Sequence, residues 1–221
     1  SAHAFVPTGG YGLNTGFGDV VNLGWKISAV MNDKVNPVLL ETYEQERRPV
    51  CLNNLKAAQK NADDMMGLRK KYNAIEDPEG FAKANAELAK QHTHSLGATM
   101  GYAYFDSGLT VLEKGQSTEP MHQSNYQPTV APGYFLPHSW IEKQKSIYDV
   151  LSVTEWTLII SGEDEVNIGQ WREKFKNLTI LHVNKSVYPY KHVLVRPDWH
   201  IAFVGDELRE DYFECSSEFL L

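Results

Sequence analysis

The chain reads as a mixed α/β protein: a helical first part over residues 1–97, an irregular connecting segment over 98–140, and a small α/β unit over 141–221. Two observations predict this division. Apolar residues recur at helical spacing through most of the first hundred positions, whereas apolar runs of strand length dominate the last eighty. Between them lie Gly101, Gly108, Gly115 and Gly133 with Pro120, Pro128, Pro132 and Pro137, interleaved with aromatics. That composition breaks regular structure, yet its aromatics need cover from water, so the segment is expected to pack over a neighbouring surface.

The elements follow in order. Residues 1–14 read as a loop. Residues 15–31 read as a helix with Phe17, Val20, Val21, Leu23, Ile27, Val30 and Met31 on a broad apolar face, and with Asp19 in its first turn, where a negative charge suits the helix dipole. Pro37 is placed to open a second helix through Tyr43 into Glu44, Glu46, Arg47 and Arg48, which Pro49 kinks or restarts. Leu52, Leu55, Ala58, Ala62 and Met65 continue helical spacing to about residue 72. Asp77-Pro78 opens a further helix to about Gln91. In the last part, Ser146–Leu151 reads as a short helix and Trp156–Ile160 as a buried strand. Asn167 to about Phe175 reads as an amphipathic helix and Leu178–Val183 as a second buried strand. His192–Arg196 and His200–Phe203 form a hairpin about Pro197-Asp198-Trp199. Strand, helix, strand and hairpin is the order of a thioredoxin-like unit. Redox members need a Cys-x-x-Cys after the first strand, and here Ser161-Gly162-Glu163-Asp164 stands there, so the unit is expected to be redox-silent.

Composition narrows the function classes. The 221 residues carry a formal net charge of −7, which argues against a nucleic-acid or anionic-membrane partner. No apolar run reaches membrane-spanning length, and Ser1-Ala2-His3-Ala4 is no secretory signal. Cys51 and Cys215 form no spaced pair, which fits two free thiols in a reducing cytoplasm. The histidines follow no metal-ligand spacing, so no metal is expected. Glu44, Glu46, Arg47 and Arg48 read more readily as a salt-bridge cluster than as a site. Trp140, Trp156, Trp171 and Trp199 read as core and interface residues.

The most telling stretch is Pro7-Thr-Gly-Gly-Tyr-Gly-Leu-Asn-Thr-Gly16, with four glycines in eight residues ahead of a helix. Such a loop lets backbone approach a flat or charged ligand and aims a helix N-terminus at it. A phosphate loop would need Gly-Lys-Ser/Thr, but the chain reads Gly12-Leu13-Asn14-Thr15. A dinucleotide fingerprint would need a glycine at position 15 and a strand in front. A glycine-rich cap on a core helix is the plain alternative.

The run Ser1-Ala-His3…Pro7-Thr-Gly-Gly-Tyr-Gly-Leu-Asn14…Asp19…Asn22-Leu-Gly-Trp-Lys26 resembles the second flavin-binding motif of FAD-dependent aromatic hydroxylases of the para-hydroxybenzoate hydroxylase type. Leu40-Glu-Thr-Tyr-Glu-Gln-Glu-Arg-Arg-Pro49 is similar to the helix that follows that motif. Residues 126–138 and Leu194-Val-Arg-Pro-Asp198 resemble the lead-in and the final hairpin of the thioredoxin-like terminal domain in the phenol and polyketide hydroxylase branch.

The resemblance implies the C-terminal part of such an enzyme: the helical end of its FAD domain, then a thioredoxin-like domain lacking Cys-x-x-Cys. It implies FAD as cofactor, NAD(P)H as co-substrate, and hydroxylation of a phenolic ring by O2 through a flavin C4a-hydroperoxide. Pro7 would wall the pocket where oxygen adds. Gly9, Gly10 and Gly12 would leave room for the ring, and amides near Leu13 and Asn14 would face its N1–C2=O edge. The N-terminal βαβ unit and most of the substrate sheet are expected to lie in a separate part of the same protein, so these residues alone should be inactive. A homodimer is expected. The competing reading is a non-enzymatic thioredoxin-like module for dimerisation or partner binding.

Overall fold

Local sequence sets most element boundaries in the computed structural model, which describes residues 3–33, 35–72, 74–119, 121–122, 124–162, 167–175, 177–185, 187–208, 212, 216 and 218–219. Helix α1 spans Tyr11–Ser28 and continues as a π-helical turn, Ala29–Asp33. A 3₁₀ turn, Pro37–Glu41, is capped by Asn36, whose side chain accepts from the Val38 amide at 3.1 Å. Helix α2 is a single 30-residue helix, Thr42–Lys71, that passes through Pro49 without ending. Asp77 caps α3, Pro78–Thr93, by accepting from Gly80 N at 2.9 Å, with Pro78 in the first turn. Helix α4 is one short turn, Leu96–Met100.

The strands come late. β1 (Trp140–Glu142) and β2 (Lys145–Ser146) pair antiparallel, and Ser146 with Asp149 forms a capping box on a 3₁₀ turn, Ile147–Asp149. A second sheet has the order β4-β3-β5-β6, from β3 (Trp156–Ser161), β4 (Leu178–Val183), β5 (His192–Val195) and β6 (Ile201–Gly205). β3 and β4 run parallel through α5, Gly169–Lys174; β3/β5 and β5/β6 are antiparallel. That is the expected strand–helix–strand–hairpin sequence.

Four expectations are corrected. The loop is shorter than 1–14, because α1 starts at Tyr11. Asp19 is therefore well inside α1, away from its first turn. β4 is only half-buried, since it is an edge strand with one neighbour. Trp140 lies 62% exposed instead of packing in a core, while Trp156 and Trp171 are buried as expected. Cys215, Glu163, Asp164, Ser1 and Ala2 lie outside the described residues.

The described chain groups into two units. Unit 1 comprises residues 1–18, 48–102 and 120–127; unit 2 comprises 19–47, 103–119 and 128–221. In unit 2 each face of the larger sheet has its own core. Leu158, Ile160, Leu194 and Phe203 join Trp156, Trp171 and Phe175 on one face. Ile159, Val193, Val195, Ile201 and Val204 join Leu136 and Ile147 on the other. The alternation slips once. Val195 pairs with Ile201 and Leu194 with Phe203, so Ala202 is an extra residue, and the bulge sends Ala202 and Phe203 to the same face. Residues 133–136 run beside β6, with Gly133 N donating to Ile201 O and Ile201 N to Tyr134 O. Gly133 has φ +90°, and a Cβ there would sit 2.9 Å from Tyr104 O.

Unit 2 also encloses an ionic core. Arg196 forks onto Glu46, with Nη1 to Oε1 at 2.6 Å and Nη2 to Oε2 at 2.8 Å. Glu46 also accepts from Lys26 Nζ and Asn22 Nδ2, both at 2.6 Å, and from the Ser107 hydroxyl. Asp198 takes Arg196 Nε at 3.0 Å, Arg196 Nη2 at 2.7 Å and the Trp25 indole N–H at 3.2 Å. Two cations thus face two carboxylates with their donors and acceptors matched. Alongside, Arg47 Nε meets Asp19 Oδ1 at 2.8 Å, and Arg47 Nη1 donates to Tyr104 Oη.

Burial and pairing pull these groups in opposite directions. Burial pushes the Glu46 carboxyl up, but Arg196 and Lys26 outweigh it and hold Glu46 below the usual carboxylate range. Burial pulls Lys26 down to about 8 although Glu46 opposes it. His200 stacks on Tyr104 at 4.1 Å and shares a hydrogen bond with Gly133 O at 2.8 Å. Burial, with Arg196 nearby, brings its imidazole down to about 4.

Removing one member strands the others in a dry interior. Glu46→Ala should cost about 3–5 kcal/mol in urea unfolding, against under about 1 kcal/mol for exposed Glu44→Ala; similar costs for the two would contradict the network.

Acid should weaken the fold through His200. The unfolded imidazole protonates near pH 6.5 and the folded one near 4, so stability falls as pH drops between those values, by on the order of 3 kcal/mol. His192, also lowered by burial, adds to the slope. His200→Gln should flatten the pH dependence of urea midpoints across this window; an unchanged slope would remove His200 as its source.

Candidate functional site

The glycine-rich loop belongs to unit 1, where three side chains tie it to its surroundings. Thr8 N donates to Val6 O at 2.8 Å, closing a turn, and Thr8 Oγ1 donates to Ala58 O on α2 at 2.6 Å. Thr15 Oγ1 donates back to Tyr11 O at 2.8 Å and accepts from Asn54 Nδ2 at 2.9 Å, joining the first turns of α1 to α2. Asn14 Nδ2 donates to Gly10 O at 3.0 Å across the helix start.

The glycines serve different ends. Gly9 and Gly10 have φ of +77° and +69°, a region that side chains with a Cβ rarely adopt. A Cβ at Gly9 would lie 2.6 Å from both Asn61 Nδ2 and Tyr11 Cε2, so this glycine is set by packing against the protein. A Cβ at Gly10 would meet nothing within 4 Å, so its outer side is open. Gly12 lies in the first turn of α1, and its Cβ would touch Phe5 at an ordinary 3.6 Å.

The structure brings the six sequence-derived site residues together around one helix start. Pro7, Gly9 and Gly10 are exposed on the loop, and Gly12, Leu13 and Asn14 sit in the first turn of α1. Leu13 is 71% exposed, so an apolar side chain flanks the opening. No acidic residue occupies the first turn, leaving the positive end of the helix uncompensated. An exposed loop with a flat approach, apolar flank and helix amides can hold a planar, electron-rich ligand by its negative edge.

Sequence reading missed the support beneath the loop. Tyr11 Oη and both amide atoms of Asn61 are buried with no hydrogen-bond partner among the described residues. Burial raises the Tyr11 phenol pKa, and the adjacent Asn61 amide opposes it. It also missed a cavity of about 710 Å³ in unit 1, lined by α2, α3, α4, Met121, His122 and Ser124. Val50, Asn53, Asn54, Ala57 and Lys60 were its readable signal, a row at three- and four-residue spacing on one face of α2.

The glycine roles are separable. Gly9→Ala should lower the melting stability of the chain by about 2–4 kcal/mol, combining left-handed strain with overpacking. Gly10→Ala should cost about 1–2 kcal/mol, from strain alone. Equal losses in parallel thermal unfolding would remove the packing role given to Gly9.

Residues 1–58 match the family model described as FAD binding domain. This stretch contains the loop, α1, and α2 as far as Ala58, which accepts from Thr8. The chain is 30% identical to the FAD-dependent monooxygenase apdD of Emericella nidulans, over 95% of this chain and 37% of that protein. It is 28% identical to the pentachlorophenol 4-monooxygenase of Sphingobium chlorophenolicum, over 95% of this chain and 37% of that protein. The solved structure of the rebeccamycin biosynthetic enzyme RebC with reduced flavin superposes with a TM-score of 0.79 and 26% identity, covering 98% of this chain and 43% of that one. The chain thus spans about two fifths of the length of the proteins it matches. Residues 1–58 thus match the FAD binding domain model, and the chain is similar along nearly its whole length to FAD-dependent monooxygenases.

Proposed function

We propose that the protein carrying this chain is an FAD-dependent monooxygenase that uses NAD(P)H and O2 to hydroxylate a phenolic or aromatic small molecule, and that this chain supplies the loop holding the flavin ring. The observation that carries the reading is the open helix start at Gly10–Asn14, inside the stretch that matches the FAD binding domain. The bound flavin supplies the redox and oxygen chemistry.

The residues of the chain supply position and charge. Pro7 forms the wall on the side where oxygen reacts. Gly10 and Gly12 keep that surface free of side chains, so the ring can lie on backbone, and Gly9 lets the loop close on Asn61 and Tyr11 beneath it. Amides near Leu13 and Asn14, at the positive end of α1, stabilise negative charge on the N1–C2=O edge of reduced flavin. Exposed Leu13 gives the ring an apolar edge. Thr8 and Thr15, anchored on α2, hold this surface in shape before the ligand arrives, which lowers the ordering cost of binding.

The 221 residues alone correspond to about two fifths of related enzymes, so they are proposed to bind FAD weakly and not to hydroxylate by themselves. Gly12→Ala tests the loop assignment, because its Cβ would find ordinary space against Phe5 and α1 would gain helix propensity. With FAD removed, the variant should keep thermal stability equal or higher, yet in the FAD-loaded protein it should weaken FAD retention at least about tenfold, roughly 1.4 kcal/mol. Unchanged FAD retention with unchanged stability would overturn the assignment.

A further inference from the structure

We infer that Tyr11 and Asn61 are positioning residues of the glycine-rich loop: their buried polar atoms are taken up by the loop backbone at Gly9 when the flavin ring is seated, which fixes the direction of the α1 amides that meet the ring. The inference deepens the proposed function and rests on it for the identity of the ligand. Neither side chain touches the ring; both act through the loop.

One face of α2 carries the loop. Asn54, Ala58 and Asn61, at spacings of four and three, lie along one stripe of this helix. Asn54 Nδ2 donates to Thr15 Oγ1 at 2.9 Å, and Ala58 O accepts from Thr8 Oγ1 at 2.6 Å. The third position behaves differently. Asn61 is fully buried, and neither its Nδ2 nor its Oδ1 has a hydrogen-bond partner among the described residues. Tyr11, the first residue of α1, is 2% exposed, and its Oη is likewise unmatched. The two side chains are neighbours, yet their contact leaves all three atoms without a hydrogen bond.

Three such atoms in one dry spot are costly, and folded proteins rarely keep them without a use. Gly9 points to the use. A Cβ on it would lie 2.6 Å from both Asn61 Nδ2 and Tyr11 Cε2, so only glycine lets the backbone come this close to the pair. The Asn61 amide can donate to a loop carbonyl and accept from a loop amide together, and the Tyr11 phenol can do either. On its other side the loop is open at Gly10, where a ring can press. Gly9 and Gly10 lack the Cβ that restricts φ, so a ring bearing on the outer side can move the loop the short way onto Asn61 and Tyr11. Because Tyr11 begins α1, the same contact sets the direction of the amides that follow it.

The test follows Tyr11→Phe, which deletes one oxygen and adds no bulk, in the whole protein that carries this chain. With FAD removed, its melting temperature should equal or exceed that of the native protein, because a buried atom without a partner is gone. FAD retention should nonetheless weaken about fivefold, the size of one hydrogen bond. At saturating FAD the visible absorption band of the bound flavin should shift, since the ring then meets amides held in another direction. Asn61→Leu, which keeps the branched outline and removes the other two atoms, should weaken FAD retention at least as much. A lower melting temperature for FAD-free Tyr11→Phe would mean that the phenol is already satisfied in the unliganded fold. Unchanged FAD retention in either variant, or an unmoved band, would mean that the seated ring does not call on the pair. Each of these results overturns the inference. Gly12→Ala run alongside separates the two readings: if it weakens FAD retention and Tyr11→Phe does not, only the role of Tyr11 and Asn61 falls; if neither does, the flavin assignment falls and takes that role with it.

Discussion

The bidentate contact between Arg196 and Glu46 is the constraint on which unit 2 depends. Both groups are buried, and each would be intolerable there alone. Glu46 has five donors and Arg196 has two carboxylates, so the pair is satisfied only when Lys26, Asn22, Ser107 and Asp198 are all in place. Apolar packing could bring α1, α2 and the β5–β6 hairpin together in several registers. The network permits one, because a shift of a single residue would leave a charge unmatched. Trp25 and Tyr104 add ring faces beside the guanidinium, with centroids 5.5 and 5.1 Å away, so the charge is screened from water by aromatic walls as well as paired.

The same residues explain what sequence could and could not disclose. Asn22, Trp25, Lys26, Glu46, Arg196 and Asp198 all fall within stretches that resemble family motifs, and of these only Glu46 reads from sequence as part of a salt-bridge cluster. Their partners turn out to be one another. Nothing local marks this: Glu46 and Arg196 are 150 positions apart, and a charged residue in an amphipathic helix looks solvated until its partner is known. Asp77-Pro78 was legible because a cap and a proline act within one turn, and Pro37 for the same reason, whereas the Asn36 cap in front of it was not singled out. The late strands were legible from their apolar runs, although edge and central strands look alike until pairing is known.

The loop shows the same division. Its glycines and the helix behind it stand out in sequence, because positive φ and close approach both demand glycine. The reason for each glycine does not. Gly9 answers to Asn61 and Tyr11, which lies beside it in sequence but must fold back under the loop, whereas Gly10 answers to open space. The earlier start of α1 at Tyr11 escaped because the loop glycines mask the helical pattern. The cavity escaped because its walls come from four separate stretches, none with a signature of its own.

The wide sequence separation within the ionic core has a bearing on how the chain is made. Synthesis delivers Lys26 and Glu46 long before Arg196 and Asp198, so the first two wait in water while most of the chain emerges. Closing contacts of this range is slow, and few native interactions in unit 2 reward the chain before they close. During that interval the apolar faces of α1 and β3 lack their final cover. Until Arg196 and Asp198 arrive, unit 2 is therefore in the state most exposed to aggregation.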